Sequence, residues 1–196
     1  MSMSFQELKT YKNPKNFRGR SVFMVQLWWL GYFFLFRPSP QIMYAWRRFL
    51  LRIFGAKIGT KVIIRPSAQI TYPWKVKIGD YSWIGDEVVL YSLGNIEIGR
   101  TSVVSQRSYL AAATHDYSSK SFDIFSKNIS IGSKCWLATD VYVGPGVSIG
   151  DGTVVGARSS VFKDLPSQKI CVGNPAKPIK DRTSEKRRKQ KSHSLV

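Results

Sequence analysis

Histidine is the side chain best suited to proton transfer near neutral pH, and this chain contains two of them. His115 lies in residues 113–117 (ATHDY), whereas His193 lies in a strongly basic C-terminal stretch. A neutral imidazole can take a proton from a hydroxyl group, and Asp116 or Asp123 could orient its ring. A single histidine in a loop more often has no chemical role, so the scaffold that holds it decides its significance.

A six-residue repeat indicates that scaffold. Aliphatic residues six positions apart form three upstream sets and one longer downstream run. The three upstream sets begin 20 residues apart, which is the spacing of one three-sided coil. The sets are Ile58, Ile64, Ile70; Ile78, Ile84, Leu90; Ile98, Val104, Leu110; and Ile131, Leu137, Val143, Ile149, Val155, Val161. The repeat therefore predicts short strands stacked in coils.

A second column supports this register. The residue two places before most of these aliphatic positions is small or β-branched, and in a strand both positions face the same side. This column contains Val62, Ala68, Ser82, Val88, Ser102, Ser108, Cys135, Val141, Val147, Thr153 and Ser159. The intervening Gly, Asp and Asn residues are expected at corners that need unusual backbone angles.

One interval interrupts the repeat. The sets that begin at Ile98 and Ile131 are 33 residues apart where 18 or 20 would continue the coil. Residues from about Ala111 to Ser130 are therefore predicted to leave the prism as an excursion loop, and His115 lies in this loop. Polar loops on rigid scaffolds are places where active residues concentrate.

The ends of the chain differ from the repeat. Residues 43–54 (MYAWRRFLLRIF) read as an amphipathic helix, and a Pro-rich turn at residues 37–40 separates it from the apolar run 22–36. We predict an N-terminal helical and aromatic segment over residues 1–56, a β-helix domain over 57–180 and a disordered basic tail over 181–196.

Composition limits the partners. A net charge of +18 favours anionic ones, but no nucleic-acid-binding motif occurs, so no nucleic acid is expected. The apolar run of 15 residues would be about 22 Å long as a helix, too short to span a hydrocarbon core of about 30 Å. It is expected either to cap the prism or to lie on an anionic membrane.

The two cysteines indicate neither a nucleophile nor a disulfide framework. Cys135 occupies the inward small column, where a thiol acts as a small apolar group.

Two histidines, one of them in the tail, cannot supply a three-histidine zinc site, so no metal is expected. Few cysteines and no leader-like opening favour a cytoplasmic protein, with contact to the inner membrane face left open.

Two sets of motifs stand out in the chain. The first is Trp136-Leu137-Ala138, residues 143–150 (VGPGVSIG), Val155-Gly156-Ala157, residues 163–166 (KDLP) and residues 173–176 (GNPA), and the second is residues 46–51 (WRRFLL), 55–59 (GAKIG) and 114–117 (THDY). In order and spacing the first set resembles the maltose and galactoside O-acetyltransferases, and the second resembles the colanic acid biosynthesis acetyltransferases more closely still. The resemblance covers about residues 20–180 and implies a left-handed parallel β-helix.

The resemblance also implies an activity: acetyl-CoA-dependent O-acetylation of a sugar hydroxyl, in exopolysaccharide or cell-surface polysaccharide biosynthesis. His115 would be the general base in a direct transfer. Trp136 would wall the pantetheine channel, and the other implied cofactor contacts are Ala138, Thr139, Ala157, Lys163, Lys177 and Lys180. A homotrimer with sites between subunits is expected, and its acceptor would be a saccharide, free or lipid-linked.

The sequence departs from the sugar acetyltransferases at the acceptor. The place of an expected Asn holds Gly85, followed by Asp86, so Asp86 and Asp116 are the candidate acceptor contacts, although acidic residues also form turns. Two alternatives stay open. One is a serine-type or amino-sugar N-acetyltransferase on the same fold, and the other is a non-catalytic scaffold in which His115 would be dispensable.

Overall fold

A computed structural model describes residues 5–183, which form a parallel β-solenoid with helices at its N-terminal end. Helix α1 (Val22–Gly31) continues into one π-helical turn (Tyr32–Phe36), and helix α2 (Tyr44–Ile53) follows the Pro-containing turn. Single 3₁₀ turns occupy Leu8–Thr10 and Pro73–Lys75. The two predicted helices are confirmed.

Three sheets form the faces of the solenoid, and their strands are parallel except for the antiparallel pair that the last two strands form at the edge of sheet B. Sheet A contains β1 (Lys57–Ile58), β4 (Val76–Ile78), β7 (Ile96–Ile98), β12 (Ile129–Ile131) and β15 (Ser148–Ile149). Sheet B contains β2 (Ile63–Ile64), β5 (Trp83–Ile84), β8 (Val103–Val104), β13 (Trp136–Leu137), β16 (Val154–Val155), β18 (Lys169–Gly173) and β19 (Ala176–Asp181). Sheet C contains β3 (Gln69–Ile70), β6 (Val89–Tyr91), β9 (Tyr109–Ala111), β14 (Tyr142–Val143) and β17 (Ser160–Val161).

The chain visits sheets A, B and C in turn through five coils and begins a sixth at Leu165. The aliphatic residues of the repeat fill the interior, and most of them have no exposed surface. Burial of each such side chain contributes roughly 1.5–3 kcal/mol. The prediction of a coiled, hexapeptide-repeat β architecture is therefore confirmed.

The small column forms a hydrogen-bonded ladder inside the prism. The Ser82 hydroxyl accepts the Ser102 amide at 3.1 Å, and the Ser102 hydroxyl accepts the Cys135 amide at 3.0 Å. Each hydroxyl also donates to a carbonyl of the following coil, at 2.7 Å to Gly99 and to Gly132. Buried polar groups need such partners, and the ladder explains why Ser occurs in an otherwise apolar interior.

The expectation that Gly, Asp and Asn occupy corners with unusual backbone angles is confirmed at three corners, at Asp140, Gly146 and Gly152, but not at most of the others. Positive φ at the corners falls mainly on residues with side chains, such as Lys61, Tyr81 and Thr101. The glycines that follow the aliphatic residues are needed for close stacking instead, because a Cβ on Gly79 would lie 2.5 Å from the Arg100 amide nitrogen of the next coil. Glycine therefore sets the distance between coils.

The N-terminal helices cap the open end of the solenoid. Along the sheets the earlier coil of each pair donates its amides to carbonyls of the later one, so the outward carbonyls at the sheet edges of the first coil have no earlier coil to bond them. Side chains donate to four of these carbonyls: Trp28 to Ile70 at 2.9 Å, Arg47 to Ile64 at 2.7 Å, Arg48 to Val62 at 2.9 Å and Arg52 to Ile58 at 2.7 Å. The inner faces of both helices therefore serve as the cap that the sequence left open.

The C-terminal end of the described chain reaches just beyond the predicted boundary at residue 180. Asp181 belongs to β19, and the Arg182 guanidinium donates to the carbonyls of Lys134 and Gly152 at 2.7 and 3.0 Å, so ordered chain continues past residue 180. The rest of the predicted tail, with His193, lies outside the described residues. Within residues 5–183 no helix combines the length and apolarity needed to cross a membrane.

Candidate active site

The excursion loop is a β-hairpin fixed to the corner between sheets C and A. Strands β10 (Ala113–His115) and β11 (Ile124–Ser126) pair antiparallel, with His115 opposite Ile124. Ala113 and Ile124 pack in a small cluster with Leu93 of this corner and with Val25 of α1. The hairpin is therefore held by apolar contacts, and the predicted excursion from the prism is confirmed.

The His115 ring is held on one face and at one nitrogen. Nδ1 lies 2.8 Å from the Phe122 carbonyl oxygen, and the ring stacks on the Phe122 ring at 4.3 Å between centroids with 10° between planes. Tyr11 of the N-terminal segment contributes a third ring, 6.4 Å from the imidazole. A carbonyl only accepts, so Nδ1 carries the proton and the neutral ring keeps its lone pair at Nε2.

The nearby carboxylates hold the hairpin loop closed. Asp116 Oδ1 accepts from the Ser118 amide at 2.9 Å and its hydroxyl at 2.5 Å, and these bonds keep the pKa of Asp116 below its ordinary value. Asp123 Oδ2 accepts from Ser121 at 2.7 Å. The group that bonds the His115 ring is thus the Phe122 carbonyl and neither of the carboxylates proposed from the sequence.

The corner between sheets B and C brings together four other predicted residues. Asp86, Thr139 and Ala157 occupy equivalent positions in different coils, each two residues after an aliphatic residue of the repeat. The carbonyls of Asp86 and Thr139 also make the same contact, since they accept the amides of Arg107 and Arg158 in the next coil, both at 2.9 Å. Ala138 precedes Thr139 and is buried. Small residues therefore line the upper part of this corner.

Asp86 is anchored within that corner. Its carboxylate accepts from Arg65 Nε and from the Ser67 hydroxyl, both at 2.7 Å. Burial raises the pKa of this carboxyl, but the hydrogen bonds from Ser67 and Arg65 lower it by more, so the pKa of Asp86 lies below its ordinary value. Asp86 is thus an ionised, fixed acceptor with half-exposed surface.

Trp136 lies on the outer surface of sheet B, with 47% of its surface exposed. Its indole N–H donates to the Ser105 hydroxyl at 3.0 Å, which fixes the ring against the solenoid. Lys177 and Lys180 lie on β19 at the edge of the same sheet, and Lys163 follows β17; all three are exposed. This surface is open to a ligand with an apolar body and anionic groups.

The structure thus divides the predicted residues between two corners of one chain. His115 and Asp116 lie at the corner of sheets C and A, and Lys163 lies at the same kind of corner in a later coil. Asp86, Ala138, Thr139 and Ala157 lie at the corner of sheets B and C, with the width of sheet C between the two groups. The sequence did not predict three residues that contact the site side chains. Phe122 and Tyr11 lie beside His115, and their only sequence signal is their aromatic character. Ser105 bonds Trp136, and the repeat spacing places it in the preceding coil of the same sheet.

Within residues 5–183, no group of three or more His, Cys, Asp or Glu side chains is arranged to hold a metal ion. Cys135 is buried as predicted, and burial raises the pKa of its thiol.

Comparison with known proteins defines the class. Residues 128–163 match the family model described as "Bacterial transferase hexapeptide (six repeats)". The chain is similar in fold to a maltose O-acetyltransferase from Clostridium difficile 630, with a TM-score of 0.75 and 24% identity over 84% of this chain and 90% of that one. It is also similar to a hexapeptide-repeat acetyltransferase of Vibrio cholerae O1 biovar eltor in complex with acetyl coenzyme A, with a TM-score of 0.73 and 23% identity over 87% and 89% of the two chains.

A sequence relative narrows this class. The chain is 59% identical over 177 residues to the protein assigned as the colanic acid biosynthesis acetyltransferase WcaF of Escherichia coli K12, covering 90% of this chain and 97% of the relative. The chain therefore belongs to the hexapeptide-repeat acetyltransferases, in the family of the colanic acid biosynthesis acetyltransferases. It is an acyltransferase, and the resemblance found in its motifs is confirmed.

Proposed function

We propose that this chain transfers the acetyl group of acetyl-CoA to a saccharide hydroxyl, in exopolysaccharide or cell-surface polysaccharide biosynthesis, with His115 as the general base. The bond from Nδ1 to the Phe122 carbonyl carries this proposal, because it leaves Nε2 as the acceptor of the proton. The family and the acetyl-CoA complex of the Vibrio cholerae neighbour support the donor. The acceptor is a saccharide, free or carried on a lipid.

In this mechanism the transfer is direct. Nε2 of His115 takes the hydroxyl proton as the acceptor oxygen bonds to the acyl carbon, the carbon–sulfur bond breaks, and the proton then passes to the departing thiolate. Positioned general bases contribute typically about 10²- to 10⁴-fold, and holding both substrates together contributes much of the remainder. The Phe122 carbonyl stabilises the imidazolium that forms, because Nδ1–H donates more strongly from the charged ring.

The donor is proposed to bind along the opposite corner. The fixed indole of Trp136 would pack against pantetheine, and the small side chains of Ala138, Thr139 and Ala157 would allow close approach of its backbone. Lys177 and Lys180 on β19 would neutralise its phosphates, together with Lys163 of the sheet C–A corner in the shared site proposed below. Asp86 and Asp116 are proposed as acceptor contacts, since each presents a carboxylate oxygen to sugar hydroxyls. These residues offer an exposed ring, small side chains and cations, which fit the substrate's parts.

The separation of the two corners supports a shared site in a homotrimer. A three-fold arrangement would bring the His115 hairpin of one subunit to the sheet B–C corner of the next, as the sequence resemblance implies. Mixed trimers test this. Chains with His115→Ala and chains with Ala157→Trp are each expected to be inactive, but a one-to-one mixture refolded together should regain about a quarter of the wild-type activity, because a quarter of the shared sites are intact. A site within one chain gives no such recovery.

The direct test of the activity is thiol release from acetyl-CoA with a panel of free and lipid-linked saccharides and their amino-sugar counterparts. His115→Ala should lower kcat by about 10²- to 10⁴-fold while acetyl-CoA binding, measured by calorimetry, is unchanged. The matched control is His193→Ala at the other histidine, which should retain activity. Failure of the wild type to bind acetyl-CoA would contradict the proposal and favour a non-catalytic scaffold. A preference for amine acceptors over hydroxyl acceptors would assign the protein as an N-acetyltransferase.

A further inference from the structure

The two capping helices carry exposed apolar side chains on the faces that point away from the solenoid. On α1 and its π-helical extension these are Phe23, Leu27, Leu30 and Phe34, spaced i, i+4, i+7 and i+11. Their exposed fractions run from 42% to 74%. No charged side chain occurs between residues 22 and 36, so this helix is apolar on every side although only one side is buried.

Helix α2 repeats the pattern. Ile42 just before it and Phe49 and Ile53 within it share one side of the helix and are 84%, 52% and 61% exposed. The indole N–H of Trp46, on the same side, donates to the Leu35 carbonyl at 2.9 Å and so joins the two helices. We call these seven exposed residues, four from the α1 region and three from the α2 region, the outward face.

The capping bonds show which way the outward face points. Trp28 of α1 and Arg47 of α2 are fully buried against the first coil, and both donate to its carbonyls. The outward face lies on the opposite sides of the same helices, so it forms the N-terminal end of the molecule. Seven exposed apolar side chains gathered at one end of the molecule indicate a site of interaction.

The charge around the outward face identifies the kind of partner. Between Glu7 and Asp80 there is no Asp or Glu, whereas fourteen Lys and Arg occur: five before residue 21, four from residue 37 to 52 and five from residue 57 to 77. Arg47, Arg48 and Arg52 donate to carbonyls of the first coil on the inner side of the cap, which leaves eleven of the fourteen for a partner. Few of these cations form salt bridges; two that do are Arg65, with Asp86, and Lys77, with Glu97. Exposed aromatic residues beside unpaired cations fit the headgroup region of an anionic bilayer.

We propose that the outward face docks the protein on an anionic lipid surface. The aromatic and aliphatic side chains enter the interface while the flanking Lys and Arg residues contact the lipid phosphates. A second copy of the chain is a poorer partner, because a two-fold contact through this face would bring the two basic ends together. This inference does not rest on the proposed activity.

The experiment is sedimentation of the full chain with vesicles of phosphatidylcholine alone and of phosphatidylcholine with roughly one part in four phosphatidylglycerol. Phe23→Gln/Phe34→Gln should weaken binding to the anionic vesicles at least about tenfold, because two interfacial aromatic rings are lost. The matched control is Phe125→Gln/Phe162→Gln, two exposed phenylalanines outside the helices, which should bind as the wild type does. Thermal melts of both variants establish that they remain folded.

Three results would overturn the inference. One is equal sedimentation with and without vesicles for the folded wild type. Another is equal loss of binding in both double variants, which would show that exposed phenylalanine anywhere suffices. The third is a wild type that does not bind vesicles but forms a larger oligomer that Phe23→Gln/Phe34→Gln dissociates, which would assign the outward face to a second copy. Binding that needs the anionic lipid and falls with added salt supports docking.

Discussion

Removal of one hydroxyl from the interior ladder should destabilise the solenoid measurably. Ser102→Ala deletes the acceptor of the Cys135 amide, at 3.0 Å, and the donor to the Gly132 carbonyl, at 2.7 Å, at a position with no exposed surface. The buried amide loses its partner at a cost of about 1–3 kcal/mol, and the partly buried carbonyl adds about 1 kcal/mol. The expected total is roughly 2–4 kcal/mol, a large share of a typical stability of about 5–15 kcal/mol.

The assay is thermal unfolding followed by circular dichroism. At about 2–4 °C per kcal/mol for a chain of this size, Ser102→Ala should melt roughly 5–15 °C below the wild type. Ser130→Ala is the control, because Ser130 faces outward on sheet A and is exposed. Ser102→Cys should melt between the two, since Cys135 already fills the ladder in the next coil and its Sγ lies 3.1 Å from the Gly150 carbonyl. A Ser102→Ala variant as stable as Ser130→Ala would refute the reasoning.

Three further predictions concern the cap, the corner and the thiols. Trp28→Phe should lose about 2–4 kcal/mol of unfolding free energy, since it removes a buried indole and its capping bond, whereas exposed Trp29→Phe should change it by less than about 0.5 kcal/mol. The pKa of Asp86 in the folded chain lies below its ordinary 3.8, so the ionised carboxylate stabilises the folded state above pH 3.8, and this stabilisation is lost as the pH falls through the folded pKa. The difference in melting temperature between the wild type and Asp86→Asn should therefore become smaller as the pH is lowered through this range. Cys135 and Cys171 are buried with raised pKa values, so iodoacetamide should label them only in denaturant.

Each of these has an outcome that contradicts it. Equal effects of the two tryptophan substitutions in urea unfolding would show that the bond to the first coil contributes little. A melting difference for Asp86→Asn that stays constant from pH 7 to pH 3 would mean that the lost interaction is not with the ionised carboxylate. Mass spectrometry that finds alkylated cysteine in the native protein would show that the coils open on the labelling timescale.

The repeat made most of the solenoid predictable, because a period of six residues fixes both which side chains point inward and which strands are neighbours. Ile64 and Ile84 are stacked as their 20-residue spacing requires. The functions of glycine and of α2 were not predictable in the same way. The stacking distance that excludes a Cβ at Gly79, and the capping of first-coil carbonyls by Arg47, depend on contacts between coils and helices that no local pattern records.

For the site, sequence reasoning located His115 in the excursion loop but not what holds it. The orienting group is a main-chain carbonyl, at Phe122, and backbone atoms carry no residue-type signal. Neighbouring acidic residues therefore appeared to be the natural candidates, although Asp116 and Asp123 bond serines within the loop. Asp86 likewise could be named from its position, whereas its anchoring by Arg65 depends on two coils meeting at a corner.

The same regularity explains where the chemistry has to be. Inward positions of the repeat are filled by aliphatic side chains and the hydroxyl ladder, so the solenoid encloses no interior site, and its flat faces offer only shallow surfaces. A fixed general base beside a bound substrate therefore requires an interruption of the repeat, and the hairpin is that interruption. It also requires a second surface that faces the hairpin and encloses the substrate. The hairpin packs at the sheet C–A corner of its own chain, away from the B–C corner, and in the proposed homotrimer a neighbouring subunit would supply that second surface.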